Sequence, residues 1–402
     1  MLDAVMRWFG FGLGLVLILV TWRSIITTII LPRFNQSFIT LATWHAVRAM
    51  FLRFAAFQPT YERRDRILAL LGPVALLAAL ASWMTLFLFG YALMFWPLLD
   101  TSFGACLRLA GSSFFTLGLA DTPQPGPTFL EFTAAATGMI VVALQVGYLP
   151  TIYSAYNRRE TLVTALSSRA GVPAWGPELL ARHQLVQGMT TLPALFAAWE
   201  IWAADIRESH ASYPWLMSFR SPDALESWVV SLLAVLDAAA LYLAVAPSHA
   251  PPEARQCLRS GYVALQRLAR IAGTPVNEDP RPDDPIKLSL EAFTRGIEHM
   301  RTAGILIEQP LADAWRDYRG WRVNYEAAAY VIADFIGAPP APWAGRRQFM
   351  PSEDAFDVVA IRPRHRTPND PEGVRGIGAS VQRELGVEAS AIASERRTTK
   401  RP

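Results

Sequence analysis

The chain has 402 residues, is 52% hydrophobic and carries a net charge of only +3, with its apolar residues crowded into roughly the first 160 positions. A balance this close to neutral, with no basic tract interleaved with aromatics, argues against nucleic acid as a partner, and the uneven hydrophobicity divides the chain into a membrane part and a soluble part. Two cysteines, Cys106 and Cys257, make neither a disulfide framework nor a zinc set.

Crossing the hydrocarbon takes about 20 apolar residues, and three segments qualify: Trp8 to Leu31, Ile67 to Leu98 and Thr128 to Tyr156. The first follows a single arginine, Arg7, and has no small-residue cleavage site after its core, so it is expected to be retained as a helix. Its Gly10, Gly12 and Gly14 offer another helix a close approach. Between the first and second segments lie Arg33, Arg48, Arg53, Arg63, Arg64 and Arg66, and the third ends at Arg158 and Arg159. Those flanks orient both sites to the cytoplasm of a cell (inner) membrane and place the connection from Leu99 to Pro127 outside. Phe38 to Phe57, apolar but carrying His45, Arg48 and Arg53, reads as an interfacial helix on the inner leaflet.

Beyond Arg159 the pattern predicts helices over Gly176 to Glu208, Ser221 to Val245, Pro252 to Ala272, Pro285 to Ala303 and Pro310 to Ile336. Asp284 before Pro285 has the look of an N-cap followed by a first-turn proline. Trp228 to Ala246 is long enough to span, but Asp237 near its middle favours a buried soluble helix over a membrane-inserted one. The arrangement is an all-α membrane protein: an N-terminal helix and linker over 1–66, a helix, pore loop and helix over 67–159, a helical cytosolic domain over 160–337, and a disordered Pro-, Arg- and Ser-rich tail over 338–402.

Within the outer connection, a short helix from about Phe103 is expected to close at Ser112 and Ser113. Phe114 and Phe115 would pack behind a turn over Thr116, Leu117, Gly118, Leu119 and Ala120, with Asp121 at its mouth. This stretch resembles the two-transmembrane potassium channel family, whose pore motif is T-x-G-Y-G-D. Thr116, Leu117, Gly118 and Asp121 match it, while Leu119 replaces the aromatic and Ala120 the second glycine. The resemblance covers roughly Ile67 to Arg159. It implies a homotetramer in which Thr116 to Gly118 coordinate K⁺ or another monovalent cation through main-chain and hydroxyl oxygens, with Asp121 attracting cations. The departures imply an outer filter that is looser and less selective: a left-handed Ala120 would be strained by on the order of 1 kcal/mol, and Leu119 has no hydroxyl to pin the loop.

Gly138, Gly147 and Pro150 in the third segment are candidates for a gate, proline because it removes a main-chain donor; the alternative is that membrane helices simply tolerate them. His183, Glu200, Asp205 and His210 match no metal-ligand spacing, Trp199, Trp202, Trp215 and Trp228 read as core, and Arg220, Asp223 and Glu226 read as a solvated helix start or an ion-pair cluster. No catalytic signature or cofactor motif is present. The expectation is a cation channel subunit in contact with membrane lipid, its cytosolic ligand unspecified; the alternative is a non-conducting signalling or scaffold protein that retains the channel fold.

Overall fold

The structure, a computed structural model, describes residues 2–31, 37–274 and 276–345, and every regular element among them is helical. Arg33 and most of the expected tail lie outside the described residues. The first group of helices is α1 (Leu2–Ile25, continued by a π-turn over Ile26–Ile30), α2 (Phe38–Ala56), α3 (Tyr61–Ala69), α4 (Leu71–Phe95), α5 (Phe103–Phe114) and α6 (Pro125–Ala170). The second is α7 (Gly176–Leu185), α8 (Leu192–Ser212), α9 (Trp228–Val245), α10 (Pro252–Ile271), α11 (Leu290–Thr302), α12 (Leu311–Arg322) and α13 (Glu326–Ile336). Four helical stretches are long and apolar enough to cross a membrane: Ala4–Ile30, Tyr61–Phe95, Pro125–Ala170 and Trp228–Val245.

The first three keep broad apolar faces exposed, including Phe9, Leu13 and Val16 on α1 and Phe132, Met139 and Val146 on α6. The fourth, α9, is buried along its whole length. It forms the axis of the helical domain, enclosed by α7, α10, α12 and α13. The mid-helix carboxylate that argued against membrane insertion finds its partners there. Asp237 Oδ1 accepts from Arg322 Nη1 at 2.5 Å, Tyr325 Oη at 2.8 Å and Tyr318 Oη at 3.0 Å. Arg322, itself without exposure, also donates to Glu326, Tyr330 and the Trp343 carbonyl. A buried charge of either sign is tolerable only with such pairing.

Helix α1 runs antiparallel to α4, and glycine decides how closely. A Cβ on Gly14 would lie 2.5 Å from the Gly90 carbonyl oxygen, so neither position admits a side chain, whereas Gly12 faces open space. Hydroxyls inside this apolar region satisfy one another: Trp83 Nε1 donates to Ser24 Oγ at 2.9 Å, and Thr28 pairs with Thr40 at 3.0 Å. Helix α2 packs along α4, with Thr43 hydrogen-bonded to Ser82. It also reaches the helical domain: Arg48 donates to the Phe335 carbonyl at 3.2 Å and Trp44 packs on Trp215 and Phe335. It is a strut between the two helix groups.

Several expected boundaries shift for local reasons. The Gly176 to Glu208 stretch splits at Gly188, and Pro193 opens α8. Asn324 ends α12 by donating to the Gly320 and Trp321 carbonyls, which separates α12 from α13. The helix expected from Asp284 starts at Leu290, because Ser289 is the cap and Asp284 instead closes a turn by accepting from Arg281 N. Ser221 to Ser227 precedes α9 as irregular chain.

The largest departure is in α6. It runs without interruption for 46 residues, about 69 Å at 1.5 Å per residue, so that the apolar stretch and the following polar one are a single rod. Arg159, expected as a flanking charge, has no exposure. Its guanidinium donates to the Leu216 carbonyl at 2.7 Å and the Phe219 carbonyl at 2.6 Å, meets His210 Nε2 at 3.1 Å and pairs with Glu160 at 2.7 Å. Burial and the adjacent Arg159 charge hold His210 well below its ordinary value near 6.5.

Two outcomes follow from these buried groups. Asp237→Leu, which leaves buried Arg322 with Glu326 as its remaining carboxylate, is expected to destabilise by about 3 kcal/mol, the low end for breaking a buried pair, and Asp237→Asn, which keeps an acceptor, by clearly less. Thermal unfolding of the purified protein checks this, and equal losses would show that the charge pair is not what matters. His210 is neutral when folded but binds a proton below about pH 6.5 when unfolded. The unfolded state therefore takes up more protons there, and stability falls as pH drops through that value. The slope of stability between roughly pH 5 and 6.5 should flatten in His210→Gln.

Candidate pore loop

A serine starts the short helix that presents the loop: Ser102 Oγ accepts from Ala105 N, capping α5. One face of α5, with Cys106, Leu109, Ala110 and Phe114, is buried against α4 and α6, and Phe114 meets the Phe87 ring at 5.9 Å. Phe114 thus packs behind the loop as expected, whereas Phe115 is 42% exposed and does not.

The chain reverses immediately after α5. Thr116 N donates to the Ser113 carbonyl at 3.0 Å and Leu117 N to the Ser112 carbonyl at 2.8 Å. Positive φ values follow at alternate positions, 55° at Thr116 and 66° at Gly118. Glycine at 118 needs no explanation beyond that angle, and a Cβ there would meet open space. Ala120 is not in the left-handed region, so the strain expected of it is absent; the non-glycine residue that carries a left-handed angle in this loop is Thr116.

Ser112 supplies the pin that Leu119 lacks. Its Oγ donates to the Ala120 carbonyl and accepts from Ala120 N, both at 2.9 Å, so one buried hydroxyl satisfies both main-chain polar groups of residue 120 at the outer part of the loop. Ser113, expected to act alongside it, instead turns back to the Leu109 carbonyl at 3.0 Å. The visible signal for this division was a pair of serines at the end of an otherwise apolar helix. Which one would face the loop depends on helical phase. The side chains of Leu117 and Leu119 are 58% and 65% exposed, and Asp121 is exposed beyond them. The negative end of the α5 dipole lies at this turn, an arrangement that favours a cation over an anion.

Behind the loop, Gly138 has a structural reason that its sequence neighbours do not reveal. A Cβ on it would lie 1.9 Å from the Phe114 carbonyl oxygen. Helix α6 can therefore pass the end of α5 only if residue 138 is glycine. Nearby, Tyr91 of α4 donates to the Thr133 carbonyl and pairs with Thr137 Oγ1 at 2.7 Å, fixing α4 to α6 at the same level. Gly147 faces open space, and Pro150 sits inside a helix that continues past it, with Thr151 Oγ1 donating to the Gly147 carbonyl at 3.1 Å. The loop residues and Gly138 are thus brought together; Gly147 and Pro150 stand about two or three turns further along α6. Glu131, near the start of α6, keeps one carboxylate oxygen buried without a hydrogen-bond partner.

The polar residues singled out in the second half of the chain do not converge. His183 bonds the Leu179 carbonyl, Asp205 pairs with Arg158, and His210 faces Arg159. Among the described residues no group of three or more His, Cys, Asp or Glu side chains is placed to hold a metal ion. Arg220 is not part of a solvated helix start: it is buried between the Asp65 carboxylate, the Tyr61 hydroxyl and the carbonyls of Ile336 and Gly337.

Gly138→Ala is expected to force α5 and α6 apart and lower the unfolding temperature of the purified protein markedly, since overpacking costs typically about 1–3 kcal/mol. Gly147→Ala meets no atom and gains helix propensity of about 1 kcal/mol, so it should be neutral or slightly stabilising. Comparable behaviour of the two variants would contradict the close approach to Phe114. No protein family model, curated protein or solved structure matches the chain, so its functional reading rests on its own residues and their geometry.

Proposed function

We propose that the chain is a subunit of a cation channel in which four copies surround one axis and the Thr116 to Ala120 loops form the narrow part of the pore. The observation that carries this reading is the loop's construction. A short helix enters between two membrane-length helices and ends on a turn with left-handed residues at 116 and 118, held from behind by the Ser112 hydroxyl. Exposed apolar side chains at Leu117 and Leu119 have no covering surface within one chain, and neighbouring copies would supply one. Main-chain and Thr116 hydroxyl oxygens would replace part of a cation's hydration shell, and Asp121 would raise the local cation concentration at the entrance.

The reading includes relaxed selectivity. The Ser112 pin keeps the loop in place without an aromatic hydroxyl, but Leu119 adds no polar group and Ala120 itself takes no left-handed angle. The outer part of the loop therefore differs in backbone path from a filter with glycine at that position, and K⁺ and Na⁺ should both pass. The arginine-rich α3 that leads into α4, and the helical domain, would lie on the cytoplasmic side of a cell membrane.

Purified protein reconstituted in liposomes should carry K⁺ and Na⁺ flux, with a reversal potential in planar bilayers showing less than about tenfold preference, or under 1.4 kcal/mol. Leu119→Tyr with Ala120→Gly should shift that preference toward K⁺, and Asp121→Asn should reduce current most at low ionic strength, where an exposed charge is least screened. Absence of flux for either ion, in the native chain and in the double variant, would sink the channel reading and favour a non-conducting scaffold of the same architecture.

A further inference from the structure

A cavity of about 510 Å³ lies where the two helix groups meet, between the ends of α1 and α2 on one side and the ends of α8, α10 and α13 on the other. Its size falls within the range of sites that enclose small molecules, about 300–1,000 Å³. One part of its wall is apolar and aromatic, formed by Leu31, Leu41, Trp44, Trp215, Met217 and Phe335. The aromatic rings there are already ordered against each other, Trp44 at 5.8 Å from Trp215 and 6.5 Å from Phe335. Another part is polar without being acidic. Among the described residues, the charged or ionisable side chains that line it are Arg270 and His45, both exposed at the surface, with no Asp or Glu. Thr28 and Thr40 place paired hydroxyls, 3.0 Å apart, between these two regions.

An elongated ligand with one apolar chain and one anionic head matches that division. A purely polar anion would leave the aromatic wall wet, and a neutral hydrocarbon would leave Arg270 without a partner inside the cavity. The guanidinium of Arg270 is held by Glu278 from outside, in a pair that is more than half exposed on both partners. Such pairs contribute little, so exchange of Glu278 for a ligand carboxylate or phosphate costs little. The cavity also borders α1, a membrane-length helix with exposed apolar side chains, which gives an amphiphile a route from the bilayer along an apolar surface.

We propose that this cavity binds a single-chain anionic amphiphile, a long-chain carboxylate or a lysophospholipid, with its chain along the wall of Trp44, Trp215 and Phe335 and its head at Arg270. Binding there bridges α1 and α2 to the helical domain, and it does not depend on whether the chain conducts ions. The probe is a diazirine-bearing palmitate, photolysed with the purified full chain in detergent and mapped by peptide mass spectrometry. Label is expected on residues 27–31, 40–45 and 211–217, which carry the lining, competed by palmitate and by lysophosphatidate but several-fold less by hexadecanol, which lacks the charge. Ala211→Phe, which fills the cavity, should remove the label. Arg270→Gln should weaken competition by palmitate about two- to fivefold, the scale of a partly exposed charge pair, and leave hexadecanol unchanged. Ser212→Leu serves as the milder filling variant if Ala211→Phe does not elute as native protein. Label confined to the outer apolar faces of α1 and α6, label indifferent to both filling variants, or equal competition by palmitate and hexadecanol would each overturn the proposal.

Discussion

The guanidinium of Arg159 is the interaction on which the rest of the molecule depends. It sits about three-quarters of the way along α6, fully enclosed, and a cation in that position is tolerable only if its donors are met. The acceptors come from chain that is not α-helical: the carbonyls of Leu216 and Phe219, around the short turn Pro214–Ser218. The dependence runs both ways. Without Arg159 the Phe219 carbonyl would lose this donor and the Leu216 carbonyl would keep only the Phe219 N–H, weakening the segment's reason for holding that path.

That segment is a wedge among the bases of the membrane-length helices. The Phe219 ring fills the space beside Gly72 of α4, where a Cβ would lie 2.6 Å from it. The next residue, Arg220, takes the Asp65 carboxylate of α3 and donates to the carbonyls of Ile336 and Gly337 at the end of α13. A cation at a helix C-terminus is also favoured by the helix dipole, and Arg48 of α2 adds a second one by donating to the Phe335 carbonyl. Three arginines from three elements thus tie α2, α3 and α6 to the helical domain. Each was visible in the sequence as a charge, and none as a tether.

The parts that could be read from the sequence were those governed by local period and length. Apolar runs located α1, α4 and the first half of α6, and the argument from Asp237 for a buried α9 agrees with its enclosure by the surrounding helices. Where a long-range partner decides, the sequence was silent. Arg159 reads as a flanking charge until Leu216 and Phe219 are known to face it, and Gly138 reads as a flexible point until the Phe114 carbonyl is placed 24 residues earlier in the chain and in contact. In the loop, the left-handed angle at Gly118 was legible from the glycine itself, whereas that at Thr116 was not. The strain assigned to Ala120 was misplaced, since motif position was used as a proxy for backbone angle. The pin from Ser112 was overlooked because a helix-end serine normally bonds its own helix, as Ser113 does here.

On the channel reading, these constraints bear on how a movement could travel. Gly147 and Pro150 do not interrupt α6, so a displacement of Arg159 and its wedge is delivered along a continuous helix toward Gly138. At that level α6 has no clearance, because the Phe114 carbonyl lies against the Gly138 backbone. A rotation that brought the Cα hydrogens away from that carbonyl would drive a neighbouring side chain into it. Phe114 is the last residue of α5, and Ser112, two residues before it, holds the loop at Ala120. A gate placed at Gly147 to Pro150 alone would leave the loop undisturbed only if the helix bent there. With the rod intact, the helical domain and the filter loop are coupled through contacts that have almost no slack, and the conformation of the loop becomes the natural place for that coupling to act.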